Sequence, residues 1–257
     1  MLFTIDIGNS NIVIALMKNK DEITFMARTK TIKNGDEEYY YRTISKIFDE
    51  NNINADEIEG AILSSVVPEI TQAVAKATGE IADTDTIVVT YQSETGITIC
   101  TDNPEKVGND LIVDAVCGIN EYEGDLIIFD MGTATTCSVI DRERNYLGTI
   151  IIPGMAISAQ ALSSKASQLP KIPFKAPKHL IGRNTVESMQ SGLIYANAAM
   201  IDGLVQRIEK ETGREATVLA TGGIASIVVP HCQKKITYDP DILTKGLWYI
   251  YQNEHKN

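Results

Sequence analysis

Phe3-Thr-Ile-Asp-Ile-Gly-Asn-Ser-Asn-Ile-Val-Ile-Ala-Leu-Met17 decides the reading of this chain. Two apolar, β-branched runs flank Asp6-Ile7-Gly8-Asn9-Ser10-Asn11, a cluster of turn formers. The pattern predicts strand, tight turn, strand. A glycine in the turn lets backbone N–H groups come close to an anion. The neighbouring carboxylate repels phosphate directly, so it makes sense beside phosphate only with Mg²⁺ or water between them. The competing reading is an ordinary hairpin whose Asn and Ser side chains satisfy its own backbone.

The layout recurs half a chain later. Leu126-Ile-Ile-Phe-Asp130-Met-Gly132-Thr-Ala-Thr-Thr136-Cys-Ser-Val-Ile140 again places Asp-x-Gly and small hydroxyl residues between two strand-like runs. A half-length repeat predicts a duplicated domain. Two such bends facing one cleft hold a polyphosphate from both sides.

The chain has 257 residues, of which 44% are hydrophobic and 22% charged, an ordinary globular balance. Its formal net charge of −11 argues against nucleic acid as a partner. No apolar run reaches the roughly 18–20 residues of a membrane span. A core strand with an acid at position 6 does not read as a signal peptide. Cys100, Cys117, Cys137 and Cys232 form no Cys-x-x-Cys pair, which predicts reduced thiols in a cytoplasmic protein. His179, His231 and His255 are scattered and lack zinc spacing.

Along the chain, 22–28 reads as a third strand and 39–50 as a helix with Tyr40, Ile44, Ile47 and Phe48 at helical spacing. A buried strand over 60–64 precedes a helix with Pro68 in its first turn and Gly79 closing it. A strand over 86–90 completes a mixed α/β unit. The helical pattern over 111–122 begins at Lys106-Val-Gly-Asn-Asp110. Asp110, near the N-terminus of that helix, is a candidate base for a hydroxyl nucleophile. Asp114, one turn on, reads as part of a solvated acidic face. In the second half, 146–152 reads as a return strand and 155–168 as a helix. The segment 171–180 reads as a loop. A long helix follows, with Asn184 as its cap. Thr185 either caps that helix or offers its hydroxyl and amide to an anion. The strand over 216–220 ends in Thr221-Gly222-Gly223. That glycine pair admits a flat ligand such as adenine, or merely turns the chain. A final helix spans 240–251, where Trp248 reads as a packing residue. The chain has no Gly-x-x-x-x-Gly-Lys-Ser/Thr loop, no Gly-x-Gly-x-x-Gly, no Gly-x-Ser-x-Gly elbow and no kinase His-Arg-Asp set.

Doubled Asp-x-Gly hairpins with a late Gly-Gly resemble the acetate-kinase, sugar-kinase, Hsp70 and actin superfamily. Within it, the chain resembles type III pantothenate kinase over its whole length. The segments that carry this are Asp6-Ile-Gly-Asn-Ser10, Ser64-Ser-Val-Val-Pro68, Asn103-Pro-Glu-Lys-Val-Gly-Asn-Asp110, Asp130-Met-Gly-Thr-Ala-Thr-Thr136, Pro153-Gly154, Gly182-Arg-Asn-Thr-Val-Glu-Ser-Met-Gln-Ser-Gly192 and Thr221-Gly-Gly223. The resemblance implies an α/β fold of duplicated ribonuclease H-like (actin-like ATPase) domains, with mixed central sheets and a cleft between them. The halves are expected at 1–117 and 118–257. It implies ATP-dependent phosphorylation of pantothenate to 4'-phosphopantothenate, the first step toward coenzyme A. It further implies Mg²⁺, a monovalent cation (K⁺ or NH₄⁺) and a cytoplasmic homodimer, with no nucleic acid and no membrane.

By the same resemblance, Asp110 takes the hydroxyl proton. Asp6, Ile7, Gly8, Asn9, Ser10, Asn11, Ile12 and Val13 form the first phosphate loop, with Asp6 organising Mg²⁺. Asp130 binds the monovalent cation, and Thr133, Gly222 and Gly223 serve ATP. Thr101, Val107, Gly108, Asn109 and Thr185 serve the acceptor. The departures lie on the acceptor side. Leu111 stands where the family has a substrate-contacting Arg, and Thr101 where it has a Tyr. Gly148-Thr149 replaces a Gly-Gly pair. Lys106 and Arg183 are the cations that can stand in for the missing Arg. These departures keep open a same-fold kinase for another small hydroxyl substrate, and a weakly active or regulatory paralogue.

Overall fold

A computed structural model describes residues 1–166 and 168–256. It divides into two compact units, residues 1–120 with 241–257, and residues 121–240.

The first unit opens with β1 (Leu2–Ile7), β2 (Asn11–Asn19) and β3 (Glu22–Lys30), an antiparallel meander. Helix α1 (Glu37–Glu50) follows, its cap Asp36 accepting from Tyr39 N at 2.9 Å. Then come β4 (Gly60–Ser65), α2 (Pro68–Ala82), β5 (Thr86–Val88), the two-residue β6 (Thr98–Ile99) and α3 (Asn109–Glu121). β4 pairs parallel with β1, and β5 parallel with β4, giving the order β3-β2-β1-β4-β5.

The second unit repeats this plan. It contains β7 (Asp125–Met131), β8 (Ala134–Ile140), β9 (Asn145–Pro153), α4 (Met155–Lys165), α5 (Thr185–Thr212), β10 (Ala216–Thr221), α6 (Ala225–Val228) and β11 (Thr237–Tyr238). β9-β8-β7 is antiparallel, and β10 and β11 add parallel on the other side of β7. The same order in both units is the duplicated ribonuclease H-like α/β arrangement expected from the repeated Asp-x-Gly stretches.

β1 is buried along both faces up to the Asp6 carboxylate because both are covered. Phe3, Ile5 and Ile7 pack with Tyr40, Ile44 and Phe48 of α1 and with Ile70 and Val74 of α2. On the opposite face, Leu2, Met17 and Ile62 pack with Val113 and Val116 of α3 and with Leu247 and Ile250 of α7 (Ile242–Glu254). The last helix of the chain therefore packs in the unit that begins it, whereas a linear division at 117/118 would count it with the second half. In the second unit, Ile127, Phe129 and Met131 of β7 pack with Leu193, Ile194 and Ile201 of α5.

Three local expectations are corrected. α2 runs past Gly79 to Ala82 and stops at Asp83, whose φ of 48° is left-handed. A Cβ at Gly79 would lie 2.8 Å from Thr84 O, so this glycine lets the chain fold back onto the helix rather than ending it. Asp114 is 2% exposed, which rules out the solvated acidic face. α3 is buried at every residue from Leu111 to Gly118, so no face of that stretch is free for solvent. α4 ends at Lys165, short of the 155–168 expected, and Ser167 lies outside the described residues.

α7 approaches α3 closely enough that a Cβ at Gly246 would lie 2.1 Å from Val113 O. Gly246→Ala is expected to destabilise the protein by about 1–3 kcal/mol through backbone displacement. Thermal or urea denaturation measures this, and an unchanged midpoint would contradict the packing described.

Candidate active site

In the first unit, β1 ends at the Asp6 bend. The turn is closed by Gly8 N donating to Asn11 O at 3.0 Å. Thr31 braces it from β3's end: its Oγ1 donates to Gly8 O at 2.6 Å and its N to Ser10 O at 3.2 Å. Ile7 and Ile12 are core residues, and Asp6, Gly8 and Val13 are half-buried. Asn9, Ser10 and Asn11 face solvent. The expected phosphate loop is thus a fixed bend with an open polar tip. Ile7 O accepts from Val66 N at 3.0 Å, tying the bend to the Ser-Ser-Val-Val-Pro segment.

Asp110 lies in the same unit, in the first turn of α3. Asn109 Nδ2 donates to Ser65 O at 3.1 Å, so α3's start is fastened to the end of β4, the strand beside Asp6. Asp110 Oδ1 accepts from Leu111 N at 2.9 Å, and Ile112 N donates to Gly108 O at 3.2 Å. A Cβ at Gly108 would sit 2.5 Å from Asp110 Oδ1, so glycine at 108 leaves room for the carboxylate. Burial raises the Asp110 pKa above the usual carboxylate range, opposed by the Leu111 N–H. Asp110 is half-buried, which leaves its carboxylate within reach of a hydroxyl proton. Val107, Gly108 and Asn109 lead directly into it. Leu111 is 6% exposed, an interior side chain. Thr101 is half-buried, and its Oγ1 has no hydrogen-bond partner among the described residues.

In the second unit, Asp130 stands on β7 in register with Thr136 of β8 and Thr221 of β10. Gly132 N donates to Ala134 O at 3.0 Å and closes the bend. Thr133 is exposed at its tip. Two glycines crowd against it. A Cβ at Gly154 would lie 2.2 Å from Thr133 O, and one at Gly222 2.7 Å from Met131 O and 2.8 Å from Asp130 Oδ1. Gly222 also has φ +86°, a left-handed backbone. Its glycine is therefore required by backbone packing on the Asp130 bend. Gly223 has open space where a side chain would be. Thr185 is exposed at the first position of α5, and Asn184 is the cap, accepting from Glu187 N at 2.9 Å. Glu187 Oε2 in turn accepts from Arg183 N, the residue before the cap, at 3.1 Å.

Each unit thus assembles its own half of the expected residues. Asp6, Ser65, Asn109 and Asp110 are linked in the first, and Asp130, Thr136, Thr221 and Gly222 in the second. Sequence reasoning singled out neither Ser64 nor Thr136 as an individual site residue, although both side-chain oxygens are buried without a hydrogen-bond partner among the described residues. Their signal was positional, since each falls in strand register with a bend carboxylate. A wide hollow of about 800 Å³ lined by Glu37, Lys76, Glu80 and Asp83 contains none of these residues.

The donor set consists of carboxylates, hydroxyls and backbone N–H groups, which suits hard cations and phosphate oxygens. Among the described residues no three His, Cys, Asp or Glu side chains form a metal cluster. Mg²⁺ is commonly held by one or two carboxylates, water and substrate phosphates. Burial also pushes the Cys137 thiol up to about 12, an inert core residue rather than a ligand.

Gly222→Ala forces a Cβ against Asp130 and into a disfavoured φ, with an expected cost of about 1–3 kcal/mol in stability. Thermal denaturation measures this, and native-like stability would contradict the close approach.

The family model for type III pantothenate kinase matches residues 2–207. A type III pantothenate kinase from Exiguobacterium sp. (strain ATCC BAA-1283 / AT1b) is 40% identical over 256 residues, covering 100% of both chains. Among solved structures, a conserved putative Baf family transcriptional activator from Campylobacter jejuni aligns with TM-score 0.61 and 17% identity, over 99% of this chain and 100% of that one. The activator of 2-hydroxyisocaproyl-CoA dehydratase from Clostridium difficile, with bound ADPNP, aligns with TM-score 0.55 and 13% identity, over 98% and 95%. These two likenesses show the fold. With the family model spanning most of its length and a full-length relative at 40% identity, this chain belongs to the type III pantothenate kinase family.

Proposed function

We propose that this chain transfers the γ-phosphoryl group of ATP to the primary hydroxyl of pantothenate, giving 4'-phosphopantothenate and ADP. One observation carries the reading beyond family membership: the Asp110 carboxylate, desolvated and fastened by Leu111 N in the first turn of α3. In the transfer, the pantothenate oxygen forms a bond to Pγ while the bond from Pγ to the β-bridging oxygen breaks. ADP leaves with that electron pair, and the hydroxyl proton passes to Asp110. Because the reaction asks mainly for positioning and charge stabilisation, fixed bends suit it better than mobile side chains.

The remaining roles follow the family. Asp6 organises Mg²⁺, which supplies charge neutralisation on the transferring phosphate. The bend from Asp6 to Val13 offers backbone N–H groups to phosphate oxygens. Asp130 holds K⁺ or NH₄⁺, Thr133 touches ATP, and the open side of Gly223 admits the nucleotide. Thr101, Val107, Gly108, Asn109 and Thr185 line the acceptor side. Leu111, being interior, gives the acceptor no charge to pair with. The chain acts as a cytoplasmic homodimer. Support for the dimer comes from Ile151, Ile157, Leu162, Ile181 and Val186 of the second unit, all exposed, with Ile181 at 84%. Among the described residues no helix is long and apolar enough to cross a membrane.

A coupled assay with ATP, Mg²⁺ and K⁺ is expected to show turnover on pantothenate. Asp110→Asn is expected to lower kcat by about 10²–10⁴-fold while leaving nucleotide affinity unchanged. Absence of turnover by the native protein on pantothenate, with turnover on another alcohol, would overturn the substrate assignment.

A further inference from the structure

Ser64 is 0% exposed, and its Oγ has no hydrogen-bond partner among the described residues. A buried hydroxyl left unpaired costs about 1–3 kcal/mol, so alanine would serve the packing better. Its surroundings show where a partner would come from. β4 runs parallel to β1 with Ser64 opposite Asp6, which puts both side chains on the same face of the sheet, one strand spacing apart. On its other side, β5 stops at Val88, opposite Leu63, one residue short of Ser64. The next residue is the apolar, fully buried Val89. Asp6 is thus the polar side chain in register with Ser64. Ser65, pointing the other way, is occupied: its Oγ accepts from Val67 N at 3.1 Å and from Thr71 Oγ1 at 2.8 Å. The unpaired hydroxyl is the one on the Asp6 side.

The duplicated unit repeats the arrangement. There Thr221 of the parallel neighbour β10 stands opposite Asp130. In both halves a hydroxyl occupies the parallel strand beside the bend carboxylate.

We propose that Ser64 is a positioning residue for Asp6. Its hydroxyl completes the polar shell through which Asp6 holds the hydrated cation of the metal–nucleotide complex. The proposal rests on the assignment of Asp6 to Mg²⁺ given above. It requires that Ser64 matter to nucleotide binding only when the metal is present.

The test is calorimetric titration of the full chain with β,γ-imido-ATP, once with Mg²⁺ and once with EDTA, together with thermal denaturation. Ser64→Ala is expected to keep or raise Tm, since it removes an unpaired hydroxyl. It is expected to weaken binding with Mg²⁺ by about 10–100-fold, as loss of an outer-shell partner does, and to leave metal-free binding unchanged. Ser64→Thr, which restores the hydroxyl in the form the second unit uses, is expected to recover native affinity. Native affinity in Ser64→Ala, equal weakening with and without Mg²⁺, or failure of Ser64→Thr to recover it would overturn the proposal. Asp6→Asn separates the two assignments. If it loses Mg²⁺-dependent affinity while Ser64→Ala does not, the Ser64 inference alone falls. If Asp6→Asn also binds normally, the Asp6 assignment falls with it. Pantothenate turnover by the native protein is independent of either result.

Discussion

The proposed phosphoryl transfer depends on keeping one carboxylate partly shielded from water. Asp110 sits in the first turn of α3, where burial disfavours its charge and the backbone N–H groups of Leu111 and of Asp110 itself offset part of that cost. This is possible because α3 is held from several directions. Asn109 ties its start to Ser65 O, and Gly108 leaves room for the carboxylate. Further along, Val113 and Val116 are locked between the sheet and α7, with Gly246 allowing backbone-to-backbone approach. A helix free to shift by an ångström would expose Asp110 further and bring it closer to an ordinary acid.

Duplication supplies the frame and divergence supplies the roles. Both units hang on a central strand that ends in a carboxylate and a glycine bend, with antiparallel strands on one side and parallel strands on the other. The rows through the two carboxylates differ in one place. Ser64–Asp6–Val13 has a hydroxyl on one side, and Thr221–Asp130–Thr136 has one on both. The second row offers more hard oxygen donors and is pinned by Gly222, whereas the first keeps an exposed polar tip at Asn9 and Ser10. The two bends therefore present different sets of oxygen donors.

Much of this was legible in the sequence, and the illegible parts share a cause. Asp-x-Gly between apolar runs announces a bend through local chemistry, so Asp6 and Asp130 were found directly. Asn184 and Asp110 were placed correctly at helix starts for the same local reason. Asp114 misled because its surroundings are settled by tertiary packing. α3 is buried over eight consecutive residues, and no periodic face survives to mark it. Gly79 looked like a stop, but its meaning depends on Thr84 folding back against it. The C-terminal helix joins the first unit through contacts with residues more than half a chain away, which no window of sequence reveals. Ser64 needed strand register, because its importance lies in what stands beside it on another strand.

The desolvated carboxylate is tested most directly by comparing unfolding free energies of native protein and Asp110→Asn across pH. Asparagine keeps the shape and the acceptor for Leu111 N, and every other titrating group is common to both, so the difference isolates Asp110. Its folded pKa is raised above an unfolded value of about 3.9. Below that value both states hold the proton, and no difference arises from ionisation. As pH rises through the raised folded value, the unfolded chain has already released its proton and the folded one gives it up at a cost. The native protein is therefore predicted to lose stability relative to Asp110→Asn across that window and then to run parallel to it up to neutral pH. Curves that stay parallel throughout, or a native protein that gains on the variant as pH rises, would contradict the account.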